Sequence, residues 1–386
     1  MYKLKINIFL SLFILTGFFI SAQTGVTTSD SIISGSIYRK YRLYVPTSYN
    51  GSVAVPLLFN LHGYTSNATQ QQYYGNFMPI ADTANFIMVL PEGTVVSGNQ
   101  FFNAGFGPGV NDVLFMSDLI DSLKLTYNID NNSIYSTGMS NGGIMSYYLA
   151  CNLPNKIAAI ASVAGSMLNT WFTSAPNRAF PIMEIHGDTD PTVAYNGDAT
   201  FAPIDSIIKK WVTFNNCNIT PATTNVPDIV TTDGATAVHN KYSGGTNGAN
   251  VELYKIINGA HTWPGSSIII GTTCEDFNAS VEIWRFFRQY KLNMFAVTTS
   301  IAKNTIDTEI EIYPNPAKDV LTVKFPENSI TSVNITNILG REIQSKKIIG
   351  NNLTQLDIAE LPNGIYFVNL LQNSRLISTK KVIKNW

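Results

Sequence analysis

One serine in this sequence has neighbours that could make its hydroxyl group a nucleophile. Ser140 is the centre of a Gly-x-Ser-x-Gly pattern at 138–142, between a β-branched and aromatic segment at 134–137 and a helix-like segment at 144–150. A strand, a sharp turn and a helix in this order are typical of a nucleophile elbow, whose glycines let the two backbones approach. The free N–H groups at the helix start can stabilise an oxyanion. The flanking segments therefore favour nucleophilic catalysis over an ordinary Gly-Ser-Gly turn.

A serine hydroxyl is a weak nucleophile until a general base takes its proton. Around such an elbow the partners follow in chain order serine, acid, histidine. Of the four histidines, His62 and His186 come too early, and His239 lies in a polar stretch with no strand end beside it. His261 follows an alternating strand-like segment, 251–257, in a loop rich in Gly and Pro. We therefore predict His261 as the base.

The acid is expected at the end of the apolar segment 181–185, where two aspartates follow in the sequence His-Gly-Asp-Thr-Asp-Pro. Asp190 is the predicted partner, holding the imidazole in the correct tautomer and stabilising the imidazolium. Asp188 stays open as an alternative, because aspartate in a Gly-Asp-Thr loop commonly caps the turn.

An oxyanion hole needs two backbone donors. The N–H of Asn141, directly after the nucleophile, is one. The other is expected from the loop after the buried strand 55–61, where Tyr64 is the predicted donor and Thr65 the alternative. His62 begins this loop, and its side chain is expected to brace it.

The elements that must hold these side chains alternate between strands and helices. Continuous apolar runs, which are typical of strands buried on both faces of a parallel sheet, occur at 55–61, 86–91, 158–163 and 181–185. Helical spacing follows at 111–127 and 278–290, where Val281, Trp284 and Phe287 are predicted to face inward. The segment 39–46 alternates as an edge strand. These patterns predict an α/β fold with a doubly wound, mainly parallel sheet, whose ligands bind at the carboxyl ends of the strands.

The chain changes character after residue 292. A polar linker at 293–308 precedes short alternating strands at 309–386, which predict a small all-β sandwich.

The first 22 residues have the features of a secretory signal peptide. Lys3 and Lys5 precede an apolar run, which small residues suited to a cleavage site follow, so we predict a signal peptide at 1–22. The α/β domain then spans 23–292.

The amino-acid composition and net charge exclude several kinds of binding partner. The chain has 386 residues, of which 45% are hydrophobic and 13% charged, and its net charge is −1. This balance gives no field for nucleic acid or anionic lipid, so we expect neither as a partner. No stretch after the signal peptide is long and apolar enough to span a membrane, so none is expected in the mature chain. No metal-binding motif occurs, and no metal is expected. Of three cysteines, Cys217 and Cys274 are the more plausible disulfide pair, with Cys151 in the core.

Several motifs occur together in a fixed order: Leu61-His62-Gly63, Phe102-Asn103-Ala104-Gly105, Val110-Asn111-Asp112-Val113, Gly138-Met139-Ser140-Asn141-Gly142-Gly143, His186-Gly187-Asp188-Thr189-Asp190-Pro191 and Gly259-Ala260-His261-Thr262-Trp263-Pro264-Gly265.

On these motifs, residues 35–290 resemble the secreted poly(3-hydroxybutyrate) depolymerase-like esterases of the α/β-hydrolase fold, which include feruloyl and acetylxylan esterases. The resemblance implies the triad Ser140, Asp190 and His261 and no cofactor. It also implies a substrate-binding set of Asn103, Trp263 and His62, with Tyr64 beside them in the acyl pocket. The family's usual Val-Asp-Asp-Val begins here with Val-Asn, so Asn111 departs from the pattern.

Residues 309–386 resemble the C-terminal sorting domain of type IX secretion in Bacteroidetes. The motifs are Tyr313-Pro314-Asn315-Pro316-Ala317, Asn337-Ile338-Leu339-Gly340, Leu361-Pro362-Asn363-Gly364-Ile365-Tyr366 and Lys380-Lys381-Val382-Ile383-Lys384. The resemblance implies export by the type IX secretion machinery to the extracellular space or outer cell surface. A carbohydrate-binding sandwich is the alternative for this domain.

The leading prediction is a secreted serine carboxylesterase acting through an acyl-enzyme on ester-bearing polysaccharide, with feruloyl or acetyl groups as substrates. A polyhydroxyalkanoate or other short-chain polyester depolymerase is the alternative within the class. A non-catalytic polysaccharide-binding protein on a hydrolase scaffold and a peptidase of the same fold are alternatives from other classes.

Overall fold

The computed structural model describes residues 24–295, 310–327, 329–337, 341–348, 352–372 and 375–385. The chain divides into two compact units, with the division between Ala296 and Val297. The predicted signal peptide at 1–22 and most of the predicted linker at 293–308 lie outside the described residues, so the proposed domain boundaries stay predictions.

The strands of the first unit are β1 (Thr27–Ser34), β2 (Ile37–Tyr44), β3 (Val55–Leu61), β4 (Ile87–Pro91), β5 (Thr94–Val96), β6 (Asn99–Phe101), β7 (Ile129–Met139), β8 (Ala159–Val163), β9 (Ile182–Gly187), β10 (Ala222–Asn225), β11 (Thr236–Tyr242) and β12 (Val251–Ile257). Its α-helices are α1 (Ala68–Tyr74), α2 (Met78–Ala84), α3 (Asp112–Thr126), α4 (Asn141–Asn152), α5 (Ile204–Phe214) and α6 (Ala279–Phe287).

Ten of these strands form one sheet in the order β1-β2-β4-β3-β7-β8-β9-β12-β11-β10. The six central strands, from β4 to β12, pair in parallel, and an antiparallel pair of strands flanks them on each side. The predicted mainly parallel α/β-hydrolase sheet is confirmed. The strands β3, β7, β9 and β12 all end at one edge, where the candidate residues follow them.

The central strands are buried on both faces, as their continuous apolar runs indicated. In β3, Phe59 packs in one hydrophobic core together with residues of α3, α4 and α5, whereas Leu58 packs in a second core with residues of α1, α2 and α6. Asn111 begins α3 by accepting the N–H of Leu114 at 2.9 Å. A cap of this kind stabilises a helix by about 1 kcal/mol, and asparagine and aspartate serve equally well in it, so Asn111 keeps the capping role at this position.

The elbow between β7 and α4 is as tight as the sequence predicts. A Cβ at Gly138 would lie 2.5 Å from the carbonyl oxygen of Leu61, and one at Gly142 would clash with the same carbonyl group. Glycine at both positions lets β7 and α4 approach the end of β3. Ser140 between them has φ 55° and ψ −116°, a strained backbone conformation for a residue with a side chain.

Two details of the predicted elements are wrong. The strand β2 lies between β1 and β4 rather than at the sheet edge, because the polar segment 27–34 forms β1 and covers it. In α6, Trp284 and Phe287 are buried as predicted, but Val281 is 49% exposed. The buried face of α6 is turned toward Ile283 and Phe286 instead.

The predicted disulfide between Cys217 and Cys274 is also wrong, since all three cysteines are free thiols. The Cys217 Sγ lies 3.2 Å from the carbonyl oxygen of Ala249, and the Cys274 Sγ lies 3.6 Å from a carboxylate oxygen of Asp276. Each thiol therefore packs as a small buried side chain with its own acceptor.

The second unit is all-β. Its strands are β13 (Glu311–Tyr313), β14 (Val320–Lys324), β15 (Ser332–Thr336), β16 (Glu342–Lys347), β17 (Leu353–Asp357), β18 (Gly364–Gln372) and β19 (Arg375–Lys384). They form two antiparallel sheets, ordered β13-β14-β17 and β16-β15-β18-β19, which share one hydrophobic core. The predicted small sandwich is confirmed, with β16 and β17 added to the strands expected from the sequence.

Across the described residues, no helix combines the length and the apolar character that crossing a bilayer requires.

Candidate active site

A cavity of about 740 Å³ opens at the carboxyl ends of the central strands and contains both Ser140 and His261. Its walls are mainly apolar and aromatic. They are formed by the loop after β3, by α1, by the elbow and by the loop after His261, and include Tyr64, Tyr73, Tyr74, Met139, Ile268 and Ile270. A mainly apolar cavity with a few polar groups is the usual form of a small-ligand site.

The elbow fixes the position of Ser140. Its backbone N–H donates to the carbonyl oxygen of Val163 at 2.8 Å, which ties the turn to the end of β8. The residue is 9% exposed and lies directly beside Gly63. The described residues include no hydrogen bond between the Ser140 hydroxyl and the ring of His261. In enzymes without bound substrate this contact is often long.

The base and the acid are in direct contact. Nδ1 of His261 lies 2.7 Å from Oδ2 of Asp190. The other oxygen of Asp190 accepts the N–H groups of Thr192 at 2.8 Å and Val193 at 2.9 Å, which fixes the orientation of the carboxylate. Burial alone would raise the pKa of Asp190, but hydrogen bonds from His186 and His261 outweigh it and hold the pKa well below its usual value. The carboxylate therefore stays ionised.

The structure brings Asp190, and not Asp188, to His261. Asp188 accepts the N–H of Asn258 at 2.7 Å, so it caps the turn after β12. Between the two aspartates, Thr189 donates to the carbonyl oxygen of Gly259 through its hydroxyl at 2.9 Å and through its N–H at 3.2 Å. These bonds join the loop of the acid to the loop of the base, and we call them the Thr189–Gly259 seam.

The backbone N–H groups of the two predicted oxyanion donors differ in their hydrogen bonding from that of the alternative donor, Thr65. Within residues 24–295, neither the N–H of Tyr64 nor that of Asn141 has an acceptor in the protein. The N–H of Thr65, by contrast, donates to the carbonyl oxygen of Gln100 at 2.8 Å. This pairing makes Thr65 unavailable to a substrate and favours Tyr64 as the second donor.

His62 orients the peptide group that carries the Tyr64 N–H. Its Nε2 accepts the N–H of Gly93 at 2.9 Å, so the ring proton lies on Nδ1, which donates to the carbonyl oxygen of Gly63 at 2.7 Å. In a trans peptide the C=O and the following N–H point in opposite directions. Holding the Gly63 carbonyl toward the histidine therefore directs the Tyr64 N–H away from it. Burial lowers the pKa of His62 from 6.5 to about 4, although its bond to Gly63 opposes the shift.

This lowered pKa predicts an acid-sensitive fold. The unfolded chain binds a proton at His62 below about pH 6.5, whereas the native protein does not bind it until about pH 4. Because the unfolded state binds more protons in this range, the free energy of unfolding decreases as the pH falls from 6.5 to about 4. We expect the free energy of unfolding to fall over this window, and to fall less in His62→Gln, in urea titrations between pH 7 and 4.5. Equal slopes in the two proteins would contradict this role.

The remaining predicted substrate residues lie elsewhere than expected. Direct substrate contact by His62 and Trp263 is wrong for this structure, because His62 is fully buried and Trp263 is 1% exposed. The indole N–H of Trp263 donates to the hydroxyl of Ser280 at 3.2 Å, so the residue anchors the loop after His261. Asn103 does not line the cavity either; its amide bonds the carbonyl groups of Gly107 and Val110 and so holds its own loop.

Two groups of residues have roles at the site that were not predicted from the sequence. Tyr73 and Tyr74 come from α1, a seven-residue helix too short to show an apolar period, and Ile268 and Ile270 come from a loop. Behind the acid, Glu184 and His186 are buried on β9. Two ionisable residues inside an otherwise apolar strand were the available signal for the second group.

One cluster of metal-ligand side chains occurs in the described part of the chain, and none of its members lines the cavity. It consists of Asp233, Cys274 and Asp276, whose ligand atoms lie within 4.8 Å of one another. The carboxylates accept backbone N–H groups, and burial raises the pKa of Cys274 to about 12, so this thiol stays protonated. A protonated thiol is a poor metal ligand, and the cluster is explained by its internal hydrogen bonds.

Comparison with known proteins agrees with the two resemblances found in the sequence, one for each unit of the chain. Residues 111–225 match the family described as phospholipase/carboxylesterase, and residues 311–385 match the secretion system C-terminal sorting domain. The chain is similar to a bifunctional acetylxylan esterase/xylanase from Neocallimastix patriciarum, with 32% identity over 157 residues, 41% of this chain and 22% of the relative. It is similar to feruloyl esterase B from Piromyces equi, with 29% identity over 47% of this chain and 37% of the relative.

An acetyl xylan esterase from Aspergillus awamori is similar in structure, with a TM-score of 0.47 and 13% identity over 61% of this chain and 94% of that one. The chain spans less than two fifths of the length of the two curated relatives above. The predicted α/β-hydrolase fold and the resemblance to the sorting domain are confirmed, and the sorting domain indicates that the protein is secreted to the extracellular space or the cell surface.

Proposed function

We propose that this protein is a secreted serine carboxylesterase that cleaves ester groups on extracellular polysaccharide through an acyl-enzyme. The observation that carries the proposal is the contact of 2.7 Å between His261 and an ionised Asp190, in a cavity that also contains Ser140 on a strained elbow. The esterase names of the curated relatives support the same reaction class. The type IX secretion machinery is the proposed partner of the sorting domain.

The reaction would begin with proton transfer from the Ser140 hydroxyl to Nε2 of His261. The serine oxygen attacks the ester carbonyl carbon, and the N–H groups of Tyr64 and Asn141 donate hydrogen bonds to the resulting oxyanion. Collapse of this intermediate breaks the bond to the alcohol, which leaves with the proton from His261. A water molecule, deprotonated by His261, then attacks the acyl-enzyme, and His261 returns this proton to the serine oxygen as the acid is released.

The shape of the cavity favours an aromatic acyl group over acetyl. Its volume of about 740 Å³ is far larger than an acetyl group needs, and Tyr64, Tyr73, Ile268 and Ile270 supply apolar and aromatic contact area. Burying a phenyl-sized group against such walls contributes about 2 kcal/mol more than burying a methyl group. We therefore propose feruloyl-type esters as the preferred substrates, with acetyl esters and short-chain polyester as weaker ones.

Side-by-side assays of the purified protein on methyl ferulate, acetylated xylan and polyhydroxybutyrate test this preference. We expect kcat/KM for methyl ferulate to exceed that for p-nitrophenyl acetate by about tenfold or more, once the difference in leaving group is corrected for. The correction comes from p-nitrophenyl ferulate, which has the acyl group of the first ester and the leaving group of the second. Release of hydroxybutyrate as the dominant product would instead support the polyester alternative. Binding of xylan without release of any acid would support the non-catalytic alternative.

A further inference from the structure

Behind the candidate acid lies a second pair of ionisable residues that the reaction scheme does not use. Glu184 and His186 lie two residues apart on β9, and both side chains are fully buried. Nδ1 of His186 lies 3.0 Å from Oε1 of Glu184. The other carboxylate oxygen of Glu184 accepts the hydroxyl of Tyr147, on α4, at 2.9 Å.

The opposite nitrogen of His186 faces the triad. Its Nε2 lies 2.8 Å from the carbonyl oxygen of Val193 and 3.4 Å from Oδ2 of Asp190, the same oxygen that contacts His261. A carbonyl oxygen can only accept, so Nε2 must carry a hydrogen. The carboxylate of Asp190 therefore lies between two imidazole rings, one in the cavity and one in the core.

The proton count then depends on the contact with Glu184. Because Nε2 is already protonated, Nδ1 and the Glu184 carboxyl group share one further proton. Burial lowers the pKa of His186, but its bonds to Asp190 and Glu184 outweigh this and raise the pKa to about 9. Burial raises the pKa of Glu184, and its bonds to His186 oppose that shift. The hydroxyl of Tyr147 donates to the carboxylate, which favours the ionised acid and the charged histidine.

We propose that Glu184 and His186 are positioning residues that hold a positive charge and a hydrogen-bond donor behind Asp190, and so set the protonation range of His261. This inference rests on the proposed function, in which His261 is the base. A charge on His186 opposes a second charge on His261, across the same carboxylate oxygen. The pair would therefore keep His261 neutral, and able to accept the serine proton, at lower pH than Asp190 alone would.

Other charged groups near the pair do not replace this effect. The ring of Tyr195 packs edge-on to His186 with centroids 6.0 Å apart, and its hydroxyl donates to Asp205 at 2.6 Å. The ammonium group of Lys255 lies over the ring of Tyr195, 4.6 Å from its centroid. Lys255 is the cross-strand neighbour of His186 on β12, but its ammonium group lies over Tyr195 and 3.9 Å from Asp188. Within residues 24–295 the ion-pair contacts of the His186 ring are those with Glu184 and Asp190.

The test removes the charge while keeping the hydrogen bonds. In Glu184→Gln the amide can donate to Nδ1 and accept from Tyr147, so His186 keeps its Nε2 hydrogen but becomes neutral. We expect the acid limb of the pH profile of kcat/KM to move to higher pH by roughly 0.5 to 1 unit, with the plateau value within about threefold of wild type. Tyr147→Phe should move it in the same direction by less.

A matched control separates this effect from loss of a buried acid in general. Glu252, on β12, is also fully buried and contacts a histidine, His239, at 2.9 Å, but it has no contact with the triad. Glu252→Gln should lower thermal stability and leave the acid limb in place. An unchanged acid limb in both Glu184→Gln and Tyr147→Phe, or an equal shift in Glu252→Gln, would overturn the proposal.

A second readout needs no enzymatic activity. NMR titration of the His261 ring in Ser140→Ala, with and without Glu184→Gln, reports the same protonation directly. We expect the titration midpoint to be higher when Glu184 is replaced. If wild type lacks esterase activity but the midpoint moves, the proposed function fails while the pairing stands; equal midpoints overturn the pairing alone.

Discussion

Ser140→Ala is expected to abolish turnover of every ester that the wild type cleaves, with kcat reduced by about 10⁵-fold or more. The substitution removes the oxygen that forms the acyl-enzyme, and no other group at the elbow can replace it. The backbone at this position, with φ 55°, is no more strained for alanine than for serine. The variant should therefore fold normally, with a Tm within about 2 °C of wild type.

The measurement is an initial-rate assay on p-nitrophenyl acetate and methyl ferulate, paired with mass spectrometry after treatment with a serine-reactive phosphonate. Wild type should gain one label at Ser140, and the variant none. Ser66 provides the control, because it lines the same cavity and its hydroxyl donates to Gln70 at 2.9 Å. Ser66→Ala should stay within about threefold of wild type. Full activity in Ser140→Ala would exclude the acyl-enzyme mechanism.

Asp190→Asn is expected to lower kcat by about 10⁴-fold at neutral pH while leaving the fold intact. The oxygen that accepts the N–H groups of Thr192 and Val193 would be kept, so the amide NH₂ would face His261. An NH₂ group donates, and Nδ1 would have to accept. The ring proton would then move to Nε2, the atom that must take the proton from Ser140.

Asp188→Asn is the matched control for this prediction. Its side-chain oxygen can still accept the N–H of Asn258, and it has no contact with His261. We expect less than about a threefold change in kcat, measured beside Asp190→Asn on the same ester. Similar losses in the two variants would show that the acid loop acts through its general structure rather than through one carboxylate.

The central sheet and the elbow could be predicted because their signals are local. The run 55–61 is apolar except for Asn60, and an apolar run of this length is typical of a strand buried on both faces. The Gly-x-Ser-x-Gly spacing could be recognised because both glycines pack against the carbonyl group of Leu61, where a side chain would clash. The pairing of β9 with β12 brings Asp190 to His261. Chain order excluded His62 and His186 as the base, but it could not separate Asp190 from Asp188, which only the contact with His261 distinguishes.

The cavity walls could not be predicted, because they depend on packing between distant segments. The sequence of α1, Ala-Thr-Gln-Gln-Gln-Tyr-Tyr, has no apolar period, yet its last two residues line the cavity. Trp263 follows His261 closely in sequence and was therefore expected in the pocket. Its backbone N–H bonds the hydroxyl of Tyr74 and its ring turns into the core, which the spacing does not reveal.

The Thr189–Gly259 seam has a consequence for how the protein would fail on heating. The carboxylate and the imidazole are carried by two loops that share hydrogen bonds, so neither loop can detach without displacing the other. A gradual loss of the contact between His261 and Asp190 with rising temperature would require the two loops to move independently. Heat inactivation should instead occur abruptly, with proteolytic nicking of both segments appearing over the same narrow temperature range.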